Sequence, residues 1–143
     1  SWTKVTNTGA TNHLYTVAGD SQSILLAGAG ETRLSQDGGS TWSNEADQGK
    51  PLPVRPWTYY ASLRENPLFL LAGRSGMTVE GFTTNGTDHV WVQRQETPRP
   101  WLWSLSRVQE LYVAAGDRGA ILTSSQGVDW ELELVPDAAT NSI

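Results

Sequence analysis

Apolar residues along this chain run for five or six positions and then stop at glycine. Leu14-Tyr15-Thr16-Val17-Ala18 alternates and is rich in strand formers, which predicts a strand ended by Gly19-Asp20. Ser23-Ile24-Leu25-Leu26-Ala27 predicts a second, more continuously apolar strand, ended by Gly28 and Gly30. Thr32-Arg33-Leu34-Ser35 predicts a third. Asp37-Gly38-Gly39 then reads as a tight turn, because Asp can bond its own backbone and Gly tolerates positive φ. Trp42 opens a fourth strand. No segment keeps apolar residues at helical spacing for about ten residues without Gly or Pro, so helices are not expected.

The same order recurs twice. After a polar loop from Glu45 to Pro53, Arg55-Pro56-Trp57-Thr58-Tyr59-Tyr60-Ala61-Ser62 starts a second unit, and Arg99-Pro100-Trp101-Leu102-Trp103-Ser104-Leu105-Ser106 starts a third. Strand ends match at Ala27-Gly28, Ala72-Gly73 and Ala115-Gly116. Trp2, Trp42, Trp91 and Trp130 lie 40, 49 and 39 residues apart. A period near 40 to 45 residues with four strands per unit is that of propeller blades. The expected fold is all-β, with three four-stranded antiparallel units at roughly 2–48, 49–96 and 97–136. Residues 139–143 match 10–14 at a displacement of 129, so 137–143 resembles the start of a further unit.

Closed propellers begin at about four blades, and an open array leaves bare apolar faces and exposed edges at its ends. Two expectations follow. Either copies assemble, with a homodimer giving six blades, or the chain is a fragment of a longer propeller.

Composition narrows the function. A net charge of −5 argues against nonspecific nucleic-acid binding, which needs a basic surface. Cysteine is absent, which removes disulfides, thiolate metal sites and cysteine nucleophiles. The longest apolar run, Pro67 to Gly73, is far short of a membrane span, no basic-then-apolar leader opens the sequence, and the compartment stays open.

Ser35-x-Asp37-x-Gly39-x-Thr41-Trp42 resembles the Asp-box, or BNR repeat, of sialidase-like β-propellers. Thr123 to Trp130 aligns without gaps, with Ser125 at the Asp position, Gly127 at the second glycine and Trp130 at the tryptophan. Thr83 to Trp91 aligns with one inserted residue and has Asn85 at the Asp position. The longer unit, from Leu-Tyr-x-Val through Ala-Gly to Gly-x-x-Trp, is also similar to repeats of the photosystem II assembly/stability factor family. The resemblance implies a structural role for these residues: the Asp caps the hairpin between the third and outer strands, and the Trp packs between strands.

Arg55, Trp57, Arg99, Trp101 and Trp103 are the candidate ligand-binding residues. The first strand of each unit lines a propeller's channel, where Arg can grip a carboxylate and Trp can stack. The competing reading has Pro fixing a turn and Trp filling the blade interface. Sialidases use an arginine triad, but no carboxylate lies near Tyr59 or Tyr60 in sequence, and no pair of glycosidase carboxylates is evident. His13 and His89 sit at different repeat phases with no ligand spacing around them, so no metal or cofactor is expected. The expected function is non-catalytic: a recognition scaffold binding a protein or peptide at the channel mouth. A glycan-binding module and a sialidase-type hydrolase fragment are the alternatives.

Overall fold

The computed structural model describes residues 4, 6, 8–44, 58–83, 89–95 and 100–133. They form three four-stranded antiparallel sheets, each a meander in chain order. Blade 1 comprises β1 (Leu14–Gly19), β2 (Ile24–Gly28), β3 (Thr32–Ser35) and β4 (Ser43–Asn44). Blade 2 comprises β5 (Tyr59–Glu65), β6 (Leu68–Gly73), β7 (Thr78–Thr83) and β8 (His89–Gln95). Blade 3 comprises β9 (Leu102–Val108), β10 (Leu111–Gly116), β11 (Ile121–Ser124) and β12 (Glu131–Glu133). Trp91 lies two residues inside β8 rather than at its start.

The sheets stack through their faces, in the order blade 1, blade 2, blade 3. Because side chains alternate along a strand, neighbours on β6 serve opposite interfaces. Phe69 and Leu71 pack with Leu25, Ala27 and Leu34 of blade 1, and with Tyr59, Met77, Val79 and Trp91 of their own blade. Leu70 and Ala72 pack with Leu102, Tyr112, Ala114, Leu122 and Trp130 of blade 3. Each blade thus has two kinds of face, and blade 2 has both covered.

An arginine clasp repeats at the two interfaces. Arg64 reaches Asp20 of blade 1 (3.3 Å) and lies over the Phe69 ring (4.2 Å to its centroid). Arg107 reaches Glu65 of blade 2 (2.9 Å) and lies over the Tyr112 ring (5.4 Å). The hydrogen-bond register makes these the same positions, since Arg64 pairs with Phe69 and Arg107 with Tyr112. The corresponding position in blade 1, paired with Ile24, is Gly19. One residue further on, where blades 1 and 2 carry Asp20 and Glu65, blade 3 carries Val108.

The hairpin turns before the outer strands of blades 1 and 3 close on a serine. In blade 1 the Gly39 amide donates to Ser35 Oγ (2.8 Å), and the Trp42 indole donates to the Gly39 carbonyl (3.1 Å). Asp37 ties the loop further, accepting from the Thr41 amide (2.8 Å), the Thr41 hydroxyl (2.6 Å) and Ser35 Oγ (2.8 Å). These bonds, those from Thr41 foremost, hold the Asp37 carboxyl down at about 2. In blade 3 the Gly127 amide donates to Ser124 Oγ (2.9 Å), and the Trp130 indole to the Gly127 carbonyl (3.0 Å). The serine that does this work is Ser124, one residue later than the ungapped alignment of Thr123 with Ser35. Blade 2 has Gly81 at the corresponding position of β7, and the Trp91 ring lies on it so closely that a Cβ there would meet the ring at 2.4 Å. Asn85 lies outside the described residues.

Candidate binding surface

The Ala-Gly pairs at the ends of β2, β6 and β10 explain what the inner strands do. A Cβ on Gly28, Gly73 or Gly116 would come within 1.9, 2.1 and 2.0 Å of the carbonyl oxygens of His13, Thr58 and Trp101. Only glycine lets the inner strand approach so closely. The same carbonyls accept from the amides of Ala29 (2.8 Å), Arg74 (3.0 Å) and Asp117 (2.9 Å). His13, Thr58 and Trp101 are therefore equivalent. The structural register pairs Trp101 with Thr58, one residue off the sequence match that set it beside Trp57.

Immediately after that contact, each inner strand skips one residue in its pairing. The register breaks between Leu14 and Thr16, between Tyr59 and Ala61, and at Ala115/Gly116 opposite Ser104 and Leu102. The skipped residues are Tyr15, Tyr60 and Trp103. A bulge bends the strand and re-aims its side chain, and here all three re-aimed side chains are aromatic. They form one row. Tyr15 and Tyr60 have ring centroids 5.6 Å apart, and Tyr60 and Trp103 4.4 Å. His13 stacks on Tyr15 at one end (6.2 Å), and Trp101 joins Tyr60 (5.9 Å) and Trp103 (5.8 Å) at the other.

This row faces solvent. Tyr15 is 51% exposed, Trp103 47% and Trp101 37%. Isolated exposed aromatics are ordinary, but a contiguous exposed row on neighbouring elements marks a contact surface. Its border is charged. The Arg74 guanidinium lies 5.5 Å from the Trp101 centroid, and the Trp103 indole donates to the Asp117 carboxylate. Both residues start tight turns, Arg74–Gly76 and Asp117–Gly119, that connect β6 to β7 and β10 to β11. Positive φ at Ser75 (60°) and Gly76 (70°), and at Arg118 (58°) and Gly119 (71°), gives each segment the twist of a type I′ hairpin turn. Arg118 is exposed at this turn despite the cost of a left-handed conformation for a long side chain.

Of the five binding residues expected from sequence, Trp101 and Trp103 lie in the row. Arg55, Trp57 and Arg99 lie outside the described residues. Tyr15, Tyr60, Arg74, Asp117 and Arg118 are additions. Their sequence signal is the Ala-Gly pair, which marks both the bulge opposite it and the turn after it.

No protein-family model matches the chain, and no curated protein does. Among solved structures, the chain is similar to one described as YCF48 bound to D1 peptide, at 16% sequence identity and a TM-score of 0.70. The match covers 89% of this chain and 42% of that one, so the chain spans less than half the length of this neighbour. At this identity the likeness carries the fold: the three sheets are blades of a β-propeller. Among the described residues, no helix is long and apolar enough to cross a membrane.

Proposed function

We propose that this chain is a non-catalytic recognition module that binds a protein or peptide segment along the aromatic row of its inner strands. The observation that carries the reading is the triple bulge. Three strands from three blades spend a ladder position at the same register to bring Tyr15, Tyr60 and Trp103 into one row. Stacked rings with fixed geometry suit a segment with apolar or aromatic side chains, held at low entropic cost. Arg74 and Arg118 at the border favour acidic groups on the same segment. The neighbouring structure holds a peptide, which supports the class of ligand for this chain. Arg55, Trp57 and Arg99 stay in the proposal through their sequence positions shortly before β5 and β9. The turn at 35–42 is read as an Asp-box with a folding role. Further copies of the chain are the second class of partner in this reading.

Exposed Trp101 and Trp103 also suit a sugar ring, which keeps glycan binding as the second reading. Panning against an immobilised random peptide library and against an oligosaccharide array separates the two. The proposal expects enriched peptides whose binding falls at least about tenfold in Trp103→Ala. Retention on oligosaccharides alone, lost in the same variant, would replace it with the glycan reading.

A further inference from the structure

We infer that the ligand of the aromatic row is a proline-rich segment in polyproline II conformation, with an acidic residue at the end that meets Trp101. The inference rests on the reading that the row binds a peptide, and it names the class of peptide.

Three observations separate this ligand from other extended segments. The first is the strand edge. β1, β5 and β9 each lie at one side of their sheet, and an open edge is where an extended peptide can add as a further strand. Each of the three carries a bulge, at Tyr15, Tyr60 or Trp103. A bulge bends and twists its strand, which spoils the edge as a template. Recognition at the row therefore passes through side chains rather than through a backbone ladder. A polyproline II segment needs no ladder, and proline has no amide hydrogen to leave unpaired.

The second observation is the polarity of the row. The Tyr15 and Tyr60 hydroxyls and the Trp101 indole have no hydrogen-bond partner among the described residues. The Arg74 and Arg118 guanidinium groups add donors at the border. Indole and guanidinium groups only donate, and a tyrosine hydroxyl can do so. The carboxylate at the border, Asp117, gives an oxygen to the Trp103 indole. A row rich in donors fits a segment rich in free carbonyls, and each proline brings a carbonyl without an amide donor. Sugar hydroxyls, each with a proton to place, fit it less well.

The third is shape. Neighbouring rings are inclined to one another, by 41° for Tyr15 and Tyr60, 34° for Tyr60 and Trp103, and 53° for Trp101 and Trp103. Inclined rings leave clefts between them rather than one flat platform. Pyrrolidine rings fill such clefts at low entropic cost, because the segment is ordered before it binds. Steps of 5.6 Å and 4.4 Å lead from Tyr15 to Trp103, which is about one polyproline II turn at ~3.1 Å per residue. His13 and Trp101 lengthen the row, so a segment of about six residues covers it. Arg74, 5.5 Å from the Trp101 centroid, and exposed Arg118 put positive charge at the tryptophan end, which sets where the acidic residue lies.

The test is fluorescence anisotropy with two labelled peptides, one of six prolines and one of three Val-Thr repeats, each followed by two glutamates. The proline peptide is expected to bind the native chain at least about tenfold more tightly than the Val-Thr peptide. Trp101→Phe keeps a ring and loses the donor, and is expected to weaken the proline peptide about three- to tenfold. Arg74→Gln is expected to weaken it too, and to leave binding of six prolines without glutamates unchanged. Equal affinity for the two peptides, or tighter binding of the Val-Thr peptide, overturns the polyproline inference and leaves peptide recognition standing. So does a library peptide that binds through Trp103 where the proline peptide does not bind. Native affinity in Trp101→Phe overturns the match of donors to carbonyls, and native affinity in Arg74→Gln overturns the acidic end. Absence of binding by both probes and by every library peptide overturns the recognition reading itself.

Discussion

The two interfaces of blade 2 share one plan and differ in how they fill it. Toward blade 1 the core holds three rings, Phe69, Tyr59 and Trp91, and the long Met77 side chain among aliphatic neighbours that include Ala18 and Ala27. Toward blade 3 it is mostly aliphatic and small, with Ala61, Leu70, Ala72, Ala114 and Leu122 against Tyr112 and Trp130. The clasps differ likewise. Arg64 is the more buried of the two arginines, 11% exposed against 35% for Arg107, and it lies closer to its ring. The lesson is that register is fixed by repeated positions, while volume is shared among neighbours. A larger ring at one position is matched by smaller side chains across from it, as the density of protein interiors requires.

Substitutions on β6 break the two interfaces separately, because adjacent residues serve different cores. Phe69→Ala is expected to cost about 3–5 kcal/mol, and Leu70→Ala about 2–5 kcal/mol. Hydrogen exchange read strand by strand should localise the damage. Phe69→Ala should raise exchange in β1–β3 first, Leu70→Ala in β9–β11 first. Equal acceleration across all three blades in both variants would mean the interfaces are not separable.

Next in size are the serines that close the outer hairpins. Ser35→Ala strands the Gly39 amide and Ser124→Ala strands the Gly127 amide, each at about 1–3 kcal/mol in urea unfolding. Blade 1 keeps the bonds from Thr41 to Asp37 when its serine is lost, so Ser124→Ala is expected to be the more damaging. The reverse order would show that Asp37 depends on Ser35 to hold the loop.

The clasps come third. Arg64→Ala should lower the unfolding midpoint more than Arg107→Ala, since it also uncovers the Phe69 ring. High salt should shrink the effect of Arg107→Ala more, because that pair is open to solvent on both sides. A larger loss from Arg107→Ala would contradict the comparison.

The smallest effect is one of pH. Asp37 titrates at about 2 in the fold, below its ordinary value of 3.8. A lowered carboxylate contributes stability that is fully present above the ordinary value and is lost as pH falls through the lowered one. The native chain should therefore lose stability between about pH 4 and pH 2 more steeply than Asp37→Asn does, measured by urea midpoints at each pH. Identical slopes would mean that the Thr41 bonds do not distinguish the charged form.

Much of the fold was legible from punctuation. The tryptophans and the Ala-Gly pairs gave the period, and short alternating runs ended by glycine gave the strands. Two matches slipped by one residue, Trp101 against Trp57 and Thr123 against Ser35. The second comes from turn length: Ser35 and Ser124 hold the same ladder position, but Trp42 follows the first by seven residues and Trp130 the second by six, so an ungapped match loses register where hydrogen-bond pairing inside the strands keeps it. The aromatic row was half legible. Trp101 and Trp103 stood out as tryptophans. Tyr15 and Tyr60 did not, because a bulge leaves no mark on the strand that carries it. Its mark is the glycine across the ladder, where a Cβ would strike the bulged strand's carbonyl.

The aromatic row is the centre of this account, and a calorimetric titration tests it most directly. A peptide enriched by panning is titrated into the native chain, into Trp103→Ala and into Leu132→Ala, which removes an equally exposed apolar side chain on β12 away from the row. The account predicts affinity at least about tenfold weaker for Trp103→Ala and unchanged for Leu132→Ala. Native affinity in Trp103→Ala would contradict it.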